Sequence, residues 1–276
     1  MAALSPDDYQ KVRTLIYKET GMLFEEKKDY YLLSRIENRM AATGVATFKE
    51  YYNGLVFGDR LGELSRFIEA VTINETYFFR DYPQLQGFAD RVLPKVAERK
   101  KAKGDKTLRV WSAACSTGEE PYSLAIILRE CLDDSHDWDL HITATDIDTQ
   151  VLQKAQAGLY GERSVKDTPV AYRQKYMFQV DGGYRVTNAL KEMIEFQQVN
   201  LVDRLAMRRM RSYDVIFCRN VLIYFDDESR KKVISSLYDS LAPGGYLFLG
   251  HSESVGRITA AFELEKMGDF LCYKRP

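Results

Sequence analysis

Glu119 and Glu120 stand side by side in Arg109-Val-Trp-Ser-Ala-Ala-Cys-Ser-Thr-Gly-Glu-Glu-Pro-Tyr-Ser123, directly after a run of small residues. The stretch reads as a buried strand, a tight loop and a helix opening at Pro121, a residue that suits a first helical position because it needs no N–H. Gly118 permits a sharp turn, and the small side chains before it let a ligand approach the backbone. A strand-to-helix junction early in an α/β region is where a nucleotide-like cofactor sits. A pyrophosphate would want bare N–H groups there and no neighbouring carboxylate. The loop also lacks both G-x-G-x-x-G and G-x-x-x-x-G-K-[ST]. The helix dipole by itself accounts for one of the two acids. Two together point to a ligand that carries positive charge.

S-adenosylmethionine brings an ammonium, a sulfonium and ribose hydroxyls, all of which tolerate or want an anion. Asp146, in Thr145-Asp-Ile-Asp148, ends a second strand. A carboxylate there can accept two hydrogen bonds from a ribose diol, worth roughly 1.5–3 kcal/mol when charge-assisted. The same acid serves NAD enzymes, so it does not choose the cofactor. Capping the next helix is its other possible use, and Asp148 can do that equally well.

Cys218-Arg-Asn-Val-Leu-Ile-Tyr-Phe225 leaves the carboxyl end of a strand, where α/β sheets place their sites. Asn220 and Tyr224 can offer polar contacts; a backbone-capping Asn and a core Tyr explain them equally. Cys218 has no His or Cys partner nearby in the sequence and reads as a small packing residue, not a nucleophile. In Thr72-Ile-Asn-Glu-Thr-Tyr-Phe-Phe-Arg-Asp81, the aromatic residues Tyr77, Phe78 and Phe79 read as packing between domains. Arg80 within that run needs an anionic partner if buried, and a carboxylate substrate would provide one.

The rest of the chain must position these groups. At 276 residues and 45% hydrophobic, it is long enough for one large or two modest domains with a real core. The 39 basic and 40 acidic residues leave a formal charge of -1, no footprint for nucleic acid. Cys115, Cys131, Cys218 and Cys272 form no CxxC pair and the three histidines are scattered, so neither a metal nor a disulfide framework is expected. No stretch approaches the roughly 20 apolar residues of a membrane span, and Met1-Ala-Ala-Leu-Ser-Pro-Asp-Asp8 lacks a basic-then-apolar leader. A soluble cytoplasmic protein without membrane insertion is the expectation.

Residues 1–85 read as all-helical: a helix from Ser5-Pro6-Asp7-Asp8, then Lys27–Ala42 stopped by Gly44, Thr47–Phe57 and Asp59–Ala70. Residues 86–106 read as a linker, with a linking helix over Gln84–Arg99 and a polar loop to Lys106. From 107 to 276 strands and helices alternate, implying a parallel sheet covered on both faces. The strands are expected at Leu108–Ala114, Leu140–Thr145, Ile194–Val199, Val215–Cys218 and Tyr246–Gly250, with a terminal hairpin over Phe262–Lys274. Pro121–Cys131, Thr149–Ala157 and Glu228–Leu241 are the expected helices. Residues at about 160–190 break the alternation. Met177–Val186 alternates around Asp181-Gly182-Gly183 and reads as an inserted hairpin. The fold class is thus α/β, with an N-terminal all-helical domain and a small inserted antiparallel β-subdomain; the terminal hairpin makes the sheet resemble the Rossmann-like S-adenosylmethionine-dependent methyltransferase sheet, with one antiparallel strand.

Together the segments Asn74–Arg80, Ser112–Ser123, Thr145–Asp148, Val199–Leu201, Cys218–Phe225 and Gly250-His-Ser-Glu253 resemble the CheR family, the chemotaxis protein methyltransferases, over nearly the whole chain. The resemblance implies methyl transfer from S-adenosylmethionine to glutamate side chains on the cytoplasmic helices of chemoreceptors. It implies that Asn74, Thr76 and Arg80 line the cofactor pocket and that Glu120, or else Glu119, takes a polar cofactor group. Asp146 and Ile147 would hold the ribose and adenine side, and Asn200, Leu201, Cys218 and Arg219 would close around the cofactor. Arg80 and Tyr224 would lie closest to the chemistry. A basic face of Lys28, Arg35 and Arg39 would meet the receptor; Glu25, Glu26, Asp29 and Glu37 dilute it, so a plain solvated helix stays open. The short turn at Asp181-Gly-Gly183 implies that no receptor carboxyl-terminal peptide is needed as a tether. A monomer is expected.

A glutamate carboxylate, with a reference pKa of about 4.3, is already the nucleophile at neutral pH. The enzyme then needs no general base and must mainly align the reactants and exclude water. Two rival readings remain at this point: a non-catalytic module that binds S-adenosylmethionine, and an NAD-dependent oxidoreductase on a similar sheet.

Overall fold

The computed structural model describes residues 4–58, 62–256, 258–268 and 270–276. The chain divides into two compact units, Met1–Ile73 with Tyr224–Ser229, and Asn74–Ile223 with Arg230–Pro276.

The first unit is helical. Ser5 caps α1 (Pro6–Thr20) through a reciprocal box with Asp8, and Gly21, at φ 72°, ends it. α2 (Asp29–Thr43) begins one short turn later than the expected Lys27, because Glu26–Lys28 forms a 3-10 turn first. Gly44 closes α2 in the left-handed region, as the sequence suggests. Thr47 caps α3 (Phe48–Phe57), and α4 runs over Glu63–Val71. The expected start of that helix, at Asp59, lies outside the described residues. Leu32, Ile36, Tyr51, Leu55 and Phe67 are buried, each apolar side chain worth about 1.5–3 kcal/mol on burial. The segment 224–229 completes the unit. Leu23 N–H donates to the Tyr224 carbonyl at 2.8 Å, Met22 bridges Phe225, and the Tyr17 hydroxyl donates to Asp226 at 2.9 Å.

The second unit is built on strands β1 (Thr107–Ala113), β2 (Asp139–Asp146), β3 (Leu159–Tyr160), β4 (Met177–Val180), β5 (Gly183–Val186), β6 (Ile194–Gln198), β7 (Tyr213–Cys218), β8 (Leu241–Leu249), β9 (Glu263–Met267) and β10 (Phe270–Lys274). Seven of them form one sheet in the order β6-β2-β1-β7-β8-β10-β9. The first five run parallel, and the terminal hairpin adds β10 antiparallel to β8 and β9 antiparallel to β10, so β10 alone runs against the rest, as the alternation and the terminal hairpin predict. The strand order reverses between β1 and β7, so the loops after those strands diverge and leave a crevice.

β1 and β7 are buried on both faces, which is why they read as apolar runs and not as alternation. Trp111 is fully buried, and its ring N–H donates to Thr145 Oγ1 at 2.9 Å. β8 starts at Leu241, five residues before the expected Tyr246. A register shift opposite Tyr213 and Val215 absorbs the Pro243-Gly244-Gly245 run as a bulge, where a missing N–H does no harm.

Residues 82–101 are helical: α5 (Tyr82–Gly87), a wider π turn (Phe88–Val92) and α6 (Leu93–Lys101). The wide turn lies just before Pro94, whose ring would crowd an ordinary turn. Leu85, Phe88, Val92 and Val96 join the core of the sheet. Phe88 meets Phe217 and Phe248 edge-on, with centroids 5.2 and 5.8 Å away.

β3, β5 and β4 form a separate three-stranded antiparallel sheet within the insertion. β4 and β5 are the expected hairpin, turning at Asp181-Gly182 with Gly182 at φ 82°. β3 is only two residues long, too short for any alternation to announce it. Among the described residues no helix is long and apolar enough to cross a membrane.

Candidate functional site

The loop after β1 leads into α7 (Glu119–Cys131). Pro121 is therefore the third helical residue, not the first. Its missing N–H costs nothing there, because the first intrahelical bond is donated by Tyr122, to the Gly118 carbonyl. Gly118 has φ 95°, and a Cβ on it would lie 2.7 Å from Ala155 Cβ and 2.9 Å from the Tyr160 hydroxyl. Glycine is thus required for both conformation and space.

The two glutamates part company at this helix start. Glu119 is buried and turns inward; it accepts hydrogen bonds from Thr117 Oγ1 at 2.7 Å and Ser164 Oγ at 2.5 Å. It fastens the loop to the inserted segment. Glu120 instead accepts from Ser112 Oγ at 2.7 Å and from Arg219 Nη1 at 3.2 Å. Burial pushes its pKa up, and the Arg219 charge, the Ser112 hydroxyl and the Arg80 charge oppose that rise.

Asp146 lies beside this loop, at the end of the neighbouring strand. Its Oδ2 accepts the Ser116 N–H at 2.8 Å and its Oδ1 accepts the Asp148 N–H at 3.0 Å. Burial raises its pKa to about 6 despite those bonds. The Ile147 N–H also favours the charged form, and of the roughly four acceptor positions of a carboxylate some capacity remains. Asp148 caps α8 (Thr149–Ala157), its Oδ1 accepting the Gln150 and Val151 N–H groups. That division of labour between the two acids leaves Asp146 available for a ligand. Asn74 completes the corner: its side-chain amide donates to Asp148 Oδ2 at 3.0 Å, and its carbonyl accepts from Ser116 Oγ at 3.1 Å.

Arg219 follows β7 and is buried. Its Nη2 donates to the Arg80 carbonyl and to Asp81 Oδ2, both at 2.7 Å, while Nη1 holds Glu120. Its Nε is buried with no hydrogen-bond partner among the described residues. Arg80 is half-buried; its guanidinium donates to the Glu75 carbonyl at 2.8 Å and lies 5.8 Å from the Tyr77 ring centroid. Phe78 and Phe79 are buried, and their N–H groups donate to the Ser164 carbonyl and Ser123 Oγ, both at 2.9 Å. The aromatic run therefore pins the segment that carries Arg80.

Phe79, Asp81, Ala114, Ser116 and Asn220 have positive φ without being glycine, five of the seven such residues among those described. All five lie in the loops just described. Backbone strain of this kind concentrates at sites that need a fixed shape.

The remaining candidates of this unit fall around the same strand ends. Ile147 is half-buried, and its carbonyl accepts from Gln198 Nε2. Val199 N–H donates to the Asp146 carbonyl, bringing Asn200 and buried Leu201 to the end of β2. Thr76 is half-buried in the Asn74–Arg80 segment. Cys218 is fully buried, and its thiol is pushed well up by burial and by the charges of Glu253 and Glu120; it stays neutral, as a packing residue should.

Lys28, Arg35, Arg39 and Tyr224 belong to the first unit. Lys28 is half-exposed at the start of α2. Arg35 lies over the Tyr31 ring at 4.5 Å. Arg39 is engaged within the unit: its Nε donates to Glu63 Oε1 at 3.0 Å, and Tyr51 donates to the same oxygen at 2.9 Å. Tyr224 closes the 3-10 turn Leu222–Tyr224.

Ser112, Ser116 and Asp81 hold the candidate groups in place, and none of the three is marked as functional by its local sequence. The small-residue loop was the only signal for the serines. Nothing local marks Asp81 as a partner of Arg219.

Comparison with known proteins assigns both parts of the chain. The description "CheR methyltransferase, all-alpha domain" matches residues 7–72, and "CheR methyltransferase, SAM binding domain" matches residues 74–270. Chemotaxis protein methyltransferase 2 of Vibrio cholerae is 39% identical over 274 residues, covering 99% of this chain and 94% of that one. Chemotaxis protein methyltransferase 2 of Pseudomonas aeruginosa is 37% identical over 256 residues, covering 90% and 86%. Chemotaxis protein methyltransferase of Escherichia coli is 34% identical over 267 residues, covering 95% and 89%.

Proposed function

The chain belongs to the CheR methyltransferase family, and on that premise we propose that it methylates glutamate carboxylates on the cytoplasmic helices of chemoreceptors, leaving glutamate methyl esters. S-adenosylmethionine supplies an electrophilic methyl group on a positively charged sulfur.

The residues at the strand ends suit that molecule. The Asp146 carboxylate, at the end of β2, keeps acceptor capacity for a ribose hydroxyl beyond its backbone bonds. Glu120 places negative charge where an ammonium or sulfonium is favoured, and Glu119 is spent on Thr117 and Ser164. The unpartnered Arg219 Nε is a buried donor suited to an anionic group. Asn74, Thr76, Ile147, Asn200, Leu201 and Cys218 complete the lining. The observation that carries the reading is the pairing of two acidic corners, Asp146 and Glu120–Arg219, at strand ends flanking the reversal of strand order.

The glutamate substrate arrives ionised, its pKa being about 4.3 in the open, and needs no base. Arg80 orients its carboxylate, and Tyr224 hydrogen-bonds beside the reacting groups. Too close an ion pair with Arg80 would blunt the nucleophile. The existing bond from Arg80 to the Glu75 carbonyl supports a positioning role. Lys28 and Arg35 contact the receptor, and Arg39 braces α2 through Glu63. The two-residue turn between β4 and β5 supports methylation of receptors that lack a carboxyl-terminal tether. The protein acts as a cytoplasmic monomer.

The test is incubation with radiolabelled S-adenosylmethionine and receptor cytoplasmic fragments. Base-labile label on glutamate is the expected result. Tight binding of S-adenosylhomocysteine without any transfer would mean a non-catalytic binding module instead.

A further inference from the structure

Past the last ladder pair, Cys218 with Leu249, the two central strands β7 and β8 leave the sheet and expose backbone N–H groups that no strand can satisfy. One side chain collects them. Glu253 Oε2 accepts the Gly250 N–H at 2.7 Å and the Asn220 N–H at 2.9 Å, and Oε1 accepts the Ile223 N–H at 3.3 Å. Its own N–H donates to the Gly250 carbonyl at 2.9 Å, so the carboxylate is held at the end of a tight turn. Gly250 is glycine for space: a Cβ there would lie 2.6 Å from Glu253 Oε2 and 2.9 Å from the Asn220 nitrogens. Asn220 takes φ 59°, a conformation that this clamp stabilises.

The clamped loop begins with Arg219, whose guanidinium holds Glu120, the Arg80 carbonyl and Asp81. Among the described residues, these clamp hydrogen bonds and those of Asp146 share no group. We propose that Glu253 is a positioning residue for one half of the cofactor site: it fixes the loop that aims Arg219 at Glu120, and so governs the grip on the amino-acid end of S-adenosylmethionine. This rests on the assignment of that end to Glu120 and Arg219 and of the ribose end to Asp146. Glutamine is the informative replacement. It keeps shape and volume, but its amide group would set an N–H donor against backbone donors.

The experiment is calorimetric titration of the full chain, wild type and Glu253→Gln, with two probes. S-adenosylhomocysteine carries the amino-acid end; 5′-methylthioadenosine shares the adenine and ribose and lacks it. Glu253→Gln should weaken S-adenosylhomocysteine about tenfold, the effect of roughly one hydrogen bond, and leave methylthioadenosine within about twofold. Equal weakening of both probes, or of neither, overturns the proposal. Wild type binding neither probe would instead refute the cofactor assignment. Gly250→Ala crowds the same carboxylate from the other side and should give the same selective loss, which secures the test if Glu253→Gln does not fold.

Discussion

Arg219 Nη1 lies 3.2 Å from Glu120 Oε2, joining the loop after β7 to the first turn of α7. The pair is nearly enclosed, with side chains 2% and 14% exposed. Removing Glu120 would leave buried Arg219 with Asp81 as its remaining anionic partner. Glu120→Ala should therefore destabilise the protein by about 1–3 kcal/mol, the loss of a charge-assisted hydrogen bond. It should also abolish measurable binding of S-adenosylhomocysteine. Urea denaturation and calorimetry check the two effects separately, and a variant with wild-type affinity would remove Glu120 from the site.

Asp146 carries a pH signature. Burial raises its carboxyl to about 6, above the ordinary value of about 3.9. A raised acid favours folding most in its protonated form: the contribution is full below the unfolded pKa and fades as pH rises through about 6. Binding depends on pH in the opposite sense, because only the anion offers both oxygens to a diol. Affinity for S-adenosylhomocysteine should fall as pH drops through about 6, and at that pH binding should release protons. Calorimetry in buffers of different ionisation enthalpy reads that release directly; zero protons exchanged would contradict the role.

Arg80→Ala should lower kcat/KM for receptor methylation by about 100-fold, or about 2.7 kcal/mol of transition-state stabilisation. Its effect on folding should be small, since the Arg80 side chain is half-buried and bonds to a carbonyl. Retention of near wild-type kcat/KM in a steady-state assay would end its assignment to the chemistry.

Arg35 and Arg39 should separate cleanly. Arg39 is bound to Glu63, whose carboxylate also receives the Tyr51 hydroxyl, so Arg39→Ala should cost about 1–3 kcal/mol in chemical denaturation. Arg35 lies over Tyr31, and Arg35→Ala should weaken receptor methylation with little change in stability. The reverse pattern would exchange their roles.

Local features were legible in the sequence wherever a short-range rule decides them. Thr149–Ala157 was read with its observed ends, because Asp148 and Gly158 punctuate it. The Asp181-Gly turn likewise betrayed the β4–β5 hairpin. Where two short-range rules compete, the local signal points to the wrong boundary. Pro121 suggested a helix start that in fact lies at Glu119, and Pro243-Gly244-Gly245 suggested a stop that the sheet absorbs as a bulge. Long-range partners left no trace at all. Asp81 and Arg219 are 138 residues apart and Asn220 and Glu253 are 33 apart, so no local pattern could pair them. The candidate residues could thus be named from sequence, but not the side chains that hold them.

The return of Tyr224–Ser229 to the helical unit has a practical side for anyone dissecting the gene. A fragment that stops at Ile73 would lack the carbonyl that receives the Leu23 amide and the carboxylate that receives the Tyr17 phenol. Truncation at the obvious seam should therefore yield a frayed amino-terminal half. Supplying residues 224–229 on a short flexible graft is the way to obtain that half intact for receptor pull-downs.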